Sequence, residues 1–182
     1  QGRLLADTLE LPYFSTGRQL RRELKARSAI GREAEPYLEV GRYVPDELVL
    51  SLLMSWLEKH KGGWVLDGFP RTVPQSEDFD RFLGSRRQNL RAILLEAPAD
   101  ELERRVSDRR ECTMCSWTGT RTQARKSGGR CPSCGGELGQ RDDDELENFR
   151  QRRKEFEELT LPVASHYEQS DRLLRVCGTG RP

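Results

Sequence analysis

The sequence predicts an α/β domain, a parallel sheet with helices on both faces, carrying a small metal-stapled lobe. Three observations predict it. Short apolar runs at residues 11–14, 64–66, 91–96 and 172–176 alternate with stretches of helical periodicity, the pattern of parallel strands joined by crossover helices. One run ends in Asp67-Gly68-Phe69-Pro70-Arg71, which puts a carboxylate and a guanidinium at the carboxyl edge of the sheet, where open α/β sheets bind ligands. Two Cys-x-x-Cys pairs fall in residues 111–140, a segment poor in aliphatic side chains.

The elements follow in order. Leu4, Leu5 and Leu9 have helical spacing over Gly2 to Glu10. Leu11 to Phe14 is a strand. Ser15, Thr16 and Gly17 offer capping chemistry to a helix that runs to Ala26. A second helix covers Ile30 to Val40, and Pro45 with Asp46 opens a third that ends near His60. Gly62 and Gly63 break the chain before the strand Trp64 to Leu66. A helix over Val73 to Leu83, a strand over Arg91 to Glu96 and a helix over Ala99 to Arg110 lead into the cysteine lobe. Beyond it a long helix is expected from Asp143 to Gln169, then a last strand from Arg172 to Val176.

With 182 residues, 35% hydrophobic and 34% charged, the chain suits one polar globular body with small inserted pieces. A net charge of +1 gives no overall pull toward nucleic acid or a membrane surface. No apolar run is long enough to span a bilayer. No nucleic-acid or membrane partner is expected, and a cytoplasmic monomer is. Most of the positive charge is arginine, whose planar guanidinium makes two-point contacts to phosphate. The chain begins at Gln1 rather than Met and ends at Pro182 in a loop, so both ends are expected to be cut.

Cys112, Cys115, Cys131 and Cys134 form two knuckles with 15 residues between them. Two such knuckles facing one another supply the four tetrahedral thiolates that zinc prefers, and four protein ligands leave no open catalytic position. A structural Zn2+, one per chain, is therefore expected, with two disulfides as the alternative. So small a lobe buries little apolar surface, and the metal would contribute much of its folding free energy. Viewed alone the lobe could equally be a nucleic-acid-binding ribbon, a reading that Arg121, Arg125, Lys126 and Arg130 keep open. Cys177 has no partner in sequence and is expected to be a buried thiol.

These motifs together resemble the adenylate kinase family. Ser15-Thr16-Gly17 followed by Leu20-Arg21 resembles the family's AMP-site segment, and Gly41 to Val49 the segment that covers the adenine. Asp67 to Arg71, Gln75, the pair Arg105 and Arg109, the lid exit from Gly135 to Asp144 with Arg152, and Gly178-Thr179 match in order and spacing. The resemblance covers essentially the whole chain. It implies a three-layer nucleoside monophosphate kinase fold: core at 1–14, 45–110 and 141–182, an AMP-binding segment at 15–44 and a zinc lid at 111–140.

The resemblance also implies reversible phosphoryl transfer from Mg-ATP to AMP, giving two ADP. AMP would be held by Thr16, Arg21, Arg42, Tyr43, Val44, Gly68, Phe69, Pro70, Arg71 and Gln75, with Arg141 and Arg152 joining at its phosphate. Arg105, Arg109, Thr118 and Gly180 would meet ATP. Arg71, Arg105, Arg109, Arg141 and Arg152 would surround the transferring phosphoryl group, and Asp67 would orient the water shell of Mg2+. Asp143 and Asp144 would make hinge or helix-start contacts, or simply cap in solvent. The alternative is a zinc-containing nucleotide- or nucleic-acid-binding relative without phosphotransfer.

The family's opening strand and its glycine-rich lysine loop, which cradles the ATP phosphates, are not within residues 1–182, and neither is its last helix. The natural protein is expected to be longer, and residues 1–182 alone are not expected to suffice for the reaction. Without the central strand, two strand pairs would stand roughly 10 Å apart, about twice the inter-strand spacing.

Overall fold

Four short parallel strands organise the body of the chain, which a computed structural model describes for residues 1–115, 117–140 and 144–180. Expectations that rest on Arg141 and Asp143 lie outside the described residues. In chain order the body has α1 (Gly2–Thr8), β1 (Tyr13–Ser15), α2 (Thr16–Lys25), α3 (Ala29–Glu39), α4 (Asp46–Leu57), β2 (Val65–Asp67), α5 (Val73–Ser85), β3 (Ala92–Glu96) and α6 (Ala99–Asp108). The lobe contributes β4 (Arg109–Cys112), β5 (Thr118–Thr120), α7 (Arg121–Lys126) and β6 (Leu138–Gly139). The chain then returns through α8 (Leu146–Glu155), a π-helical turn (Phe156–Thr160), α9 (Leu161–Gln169) and β7 (Leu173–Cys177).

The parallel sheet is parted. β1 pairs only with β2 and β3 only with β7, each in parallel register, among the described residues. This is the split into two pairs that the sequence leads one to expect. The lobe has its own antiparallel sheet in the order β5-β4-β6.

The core lies around β1, α4 and α5. Phe14, Leu20, Val49, Leu53, Leu57, Phe69, Phe79 and Leu83 are buried in one cluster. Phe79 meets Phe69 edge-on with ring centroids 5.2 Å apart, a favoured aromatic geometry. α2 and α3 pack tightly enough that Gly31 is required: a Cβ there would run into the backbone carbonyl of Glu23. The start of α3 is fixed by Ser28, whose hydroxyl accepts from the Gly31 N–H at 3.0 Å.

Three expectations change. The helix leading into the lobe stops at Asp108 rather than Arg110, because Arg109 turns extended and joins β4, where pairing with β5 and β6 outweighs helix propensity. The long helix near the C-terminus is interrupted by the π turn. Pro162 has no N–H to give the carbonyl four residues back, so the α-helical ladder cannot run through it. Cys177 is exposed, not buried: it ends β7, which is paired on one side only, and its Sγ lies 3.0 Å from the Thr179 hydroxyl.

One polar cluster ties the two strand pairs together. Asp80 of α5 accepts from both terminal nitrogens of Arg172, each at 2.7 Å, and from Nε2 of His166 in α9 at 2.8 Å. Partial burial pushes the Asp80 carboxyl up, but the hydrogen bonds from Arg172 and His166 outweigh it and hold the group below its ordinary value. A depressed carboxylate stabilises the fold above its unfolded-state range, and that stability is lost as pH falls through the folded value. Asp80→Asn should therefore cost about 1–2 kcal/mol near neutrality. The gap from the parent should close once pH falls below the ordinary aspartate range, as read by urea unfolding at stepped pH.

Candidate active site

A cleft opens where α2, the loop before α4, the turn after β2 and α8 meet. It brings together Thr16, Arg21, Arg42, Tyr43, Val44, Gly68, Arg71, Gln75 and Arg152, nine of the residues singled out in the sequence. Four of them carry guanidinium groups, so the cleft is strongly cationic.

Each side chain has a local reason for its place. Gly68 has φ +80° and approaches Arg71 so closely that a Cβ would come within 2.9 Å of its terminal nitrogen, which makes glycine the fitting residue. Arg71 Nε donates to the Gly68 carbonyl at 3.0 Å, and its guanidinium lies over the Tyr43 ring at 4.7 Å. Tyr43 is held twice. Its N–H donates to a carboxylate oxygen of Glu155 at 2.5 Å, and its hydroxyl lies 3.0 Å from that of Thr160. The Thr160 hydroxyl also donates to the Arg71 carbonyl at 3.0 Å. Thr160 sits in the π turn, and no pattern in the sequence marked it.

The polar groups of the cleft differ in how far the protein satisfies them. The buried hydroxyl of Thr16 has no hydrogen-bond partner among the described residues. A buried polar atom left unpaired costs free energy, and a ligand that reaches it recovers that cost. Gln75 is engaged at both ends of its amide: Oε1 accepts from the Arg71 N–H at 2.7 Å and Nε2 donates to Asp46 at 2.6 Å. Phe69 and Pro70 do not line the cleft. Phe69 is core, and the bond between the two is cis.

A second group of charges stands at the base of the lobe. Arg109 bonds both carboxylate oxygens of Asp144, and Arg152 comes within 3.6 Å of the same carboxylate. The Asp144 side chain is fully buried, so it is not a solvated cap; it stands just before α8 and anchors both guanidiniums. Arg105 pairs with Glu101 at 2.6 Å and donates to the Gly180 carbonyl at 3.1 Å, which joins two residues that the sequence placed together. Thr118 lies apart from them on β5, opposite Glu111.

In the lobe the four cysteine sulfurs all lie within 4.8 Å of one another. Cys112 and Cys134 are 3.5 Å apart, and Cys115 and Cys131 are 3.6 Å apart. That is too far for a disulfide, about 2.05 Å. It is close to the ~3.8 Å between thiolates on a tetrahedral zinc with Zn–S bonds of about 2.3 Å. Backbone N–H groups of Met114 and Cys115 point at the Cys112 sulfur at 3.3 and 3.4 Å, and that of Ser133 at the Cys131 sulfur at 3.4 Å. Burial raises the Cys112 thiol, but the two N–H donors, together with the neighbouring Cys134 and Cys115 thiols, bring it down to about 7. The donor set fits a tetrahedral, thiolate-bound metal.

The adenylate kinase family model matches residues 1–172 of the chain. The chain belongs to the adenylate kinase family. It is 33% identical to an adenylate kinase of Methanothrix thermoacetophila, over 99% of this chain and 85% of the relative. It is 38% identical to one of Syntrophobacter fumaroxidans (93% and 82%) and 37% identical to one of Thermodesulfovibrio yellowstonii (99% and 86%). Against that family, the cleft gathers the residues of the AMP-site resemblance with the exceptions of Phe69, Pro70 and the undescribed Arg141.

Asp67 closes β2 at the sheet's carboxyl edge, and its Oδ2 accepts from the Tyr13 hydroxyl at 2.5 Å. Burial first, then the hydrogen bond and charge of Asp67, push the Tyr13 phenol up to about 12. The raised group contributes stability below the unfolded tyrosine value near 10, and loses it as pH rises through the folded value. Between those limits, Tyr13→Phe should lose unfolding free energy less steeply than the parent, by up to about 1.4 kcal/mol per pH unit. Denaturant titrations in alkaline buffer would read the difference in slope.

Proposed function

We propose that the full-length protein transfers a phosphoryl group reversibly between Mg-ATP and AMP, giving two ADP, with the cleft around Thr16 and Arg71 as the AMP site. The observation that carries the reading is the convergence of Arg21, Arg42, Arg71 and Arg152 on one cleft, beside a buried Thr16 hydroxyl that no group among the described residues satisfies. Phosphoryl transfer asks for positioning and charge neutralisation more than for covalent chemistry. Guanidiniums supply both, because each fork meets two phosphate oxygens and stays charged.

The residues take these roles. Thr16, Val44 and Gln75 face the nucleoside, with Gln75 held in place by Asp46. Arg21, Arg42 and Arg71 grip the AMP phosphate. Arg109 and Arg152 rest on Asp144 and exchange part of that contact for the transferring phosphoryl group, and Arg141 joins them. Arg105 and the Gly180 backbone flank the ATP base, and Thr118 reaches it from the lid. Mg2+ bound to ATP would neutralise phosphate charge, and Asp67 would order its water shell. The lobe of residues 111–140 acts as a lid that keeps water from the activated phosphate. A Zn2+ on the four cysteines stiffens it. The closed ligand set and the reduced thiols fit a monomer of the cytoplasm.

The test is ADP formation from ATP and AMP by the full-length protein. If another nucleoside monophosphate served as acceptor and AMP did not, the assignment would fall. Thr160→Val should raise the KM for AMP several-fold with little change in kcat, since it loosens Tyr43 and Arg71 together, and Thr160→Ser should restore it. Equal loss in the serine variant would remove Thr160 from the site.

Metal analysis should find about one zinc per chain. Stripping it with a strong chelator should unfold the lid, seen as a red shift of Trp117 emission, while the core transition remains. Metal-free protein with an unchanged lid would exclude the staple.

A further inference from the structure

The lid carries a second cationic concavity that the phosphotransfer reading does not use. It is an open cleft of about 370 Å³ between β4, α7 and β6, into which Arg110, Arg121 and Arg125 project. It lies on the far side of β4 from the proposed reaction centre. Successive side chains of a strand point to opposite faces, and Arg109, which precedes Arg110, turns to Asp144.

Several arginines of the body rest on carboxylates: Arg104 and Arg105 on Glu101, Arg172 on Asp80, Arg175 on Glu96 and Glu168. Among the described residues none of the three lid arginines has an ion pair. Arg110 donates to the carbonyls of Ser107 and Arg109, and Arg121 to the carbonyl of Ser107. Three like charges in one concavity repel one another, and a multivalent anion from solution relieves that repulsion.

We propose that this cleft is a second anion site, and that its ligand is a compact oligophosphate. Guanidinium forks match phosphate oxygens two at a time, and three forks match a chain of several phosphates better than one carboxylate. The volume suits a small ligand. The remaining lining is Ala124, Leu138 and two glycines, with no aromatic ring on which a nucleic-acid base could stack. That favours a free oligophosphate over a single-stranded nucleic acid. The proposal is independent of the phosphotransfer reading, because it concerns a different face of the lid.

The experiment is a titration of the zinc-loaded full chain, labelled with 15N-arginine, against inorganic tripolyphosphate, following the arginine Nε–H signals. Single Arg→Lys variants assign Arg110, Arg121 and Arg125. The three signals should shift together on one saturable curve with a Kd below about 1 mM. In the Arg121→Ala/Arg125→Ala chain the Arg110 curve should weaken roughly tenfold or more. Arg125→Ala alone serves if the double variant loses its lid, since Arg125 makes no side-chain hydrogen bond among the described residues; its curve should weaken too. Shifts of equal size at the exposed Arg81 and Arg86 would mean ionic screening and overturn the site. Shifts confined to Arg42, Arg71 and Arg152 would overturn it as well. Tighter binding of a thymidine octanucleotide than of tripolyphosphate would replace the oligophosphate with a nucleic-acid strand.

Discussion

The carboxylate of Asp80 holds together two halves that share no strand pairing among the described residues. β1 and β2 form one unit with α5 behind them, and β3 and β7 form the other with α9. What crosses between them is the α5–α9 contact, with Asp80 bonded to His166 on one side and Arg172 on the other. The placement of the cleft depends on the same contact. The N-terminal end of α5 carries Gln75 and follows Arg71, while α9 follows directly from the turn that carries Thr160. Fixing one helix on the other fixes the short path from Thr160 to Arg71 and Tyr43.

The same economy of charge governs the cluster at the base of the lobe. A fully buried carboxylate is costly unless its lone pairs are used, and Asp144 spends them on Arg109 and Arg152. Those two guanidiniums come from different parts of the chain, one entering the lid and one on the helix that leaves it. Asp144 therefore ties the start of β4 to α8. In the proposed function a phosphate arriving there would compete with a carboxylate for the same donors, an exchange of anions and not the creation of new charge pairs. The lid itself owes its shape to sulfur, with backbone N–H groups already aimed at the thiolates that would hold the metal.

Much of this was legible in the sequence. The strand and helix order follows from apolar periodicity, and the four cysteines from their spacing. The cleft arginines follow from the resemblance that their spacing carries. What the sequence did not reveal has physical causes. Thr160 and Glu155 lie more than a hundred residues from Tyr43, the residue they hold, and long-range contacts leave no local pattern. For Asp144 the sequence leaves a hinge or helix-start contact and a solvated cap equally open, because burial is a property of the whole fold. The end of α6 moved because β4 is decided by pairing partners in the lobe and not by local propensity. Cys177 was placed inside on the ordinary tendency of a lone thiol, yet β7 has a neighbour on one side only.

The π turn at Phe156–Thr160 also has a bearing on phase. Arg152 and Val163 are eleven positions apart, which on an unbroken α-helix, at about 100° per residue, would put them on nearly the same face. Here Arg152 lines the cleft while Val163 and Tyr167 are buried in the body. A π turn accommodates one residue more than the α-helix does, and so rotates everything after it by about a quarter turn. The interruption lets one continuous rod serve two masters, a cationic cleft on one side and an apolar core on another. Deleting a single residue within it would bring the two faces back into register and force the chain to choose between them.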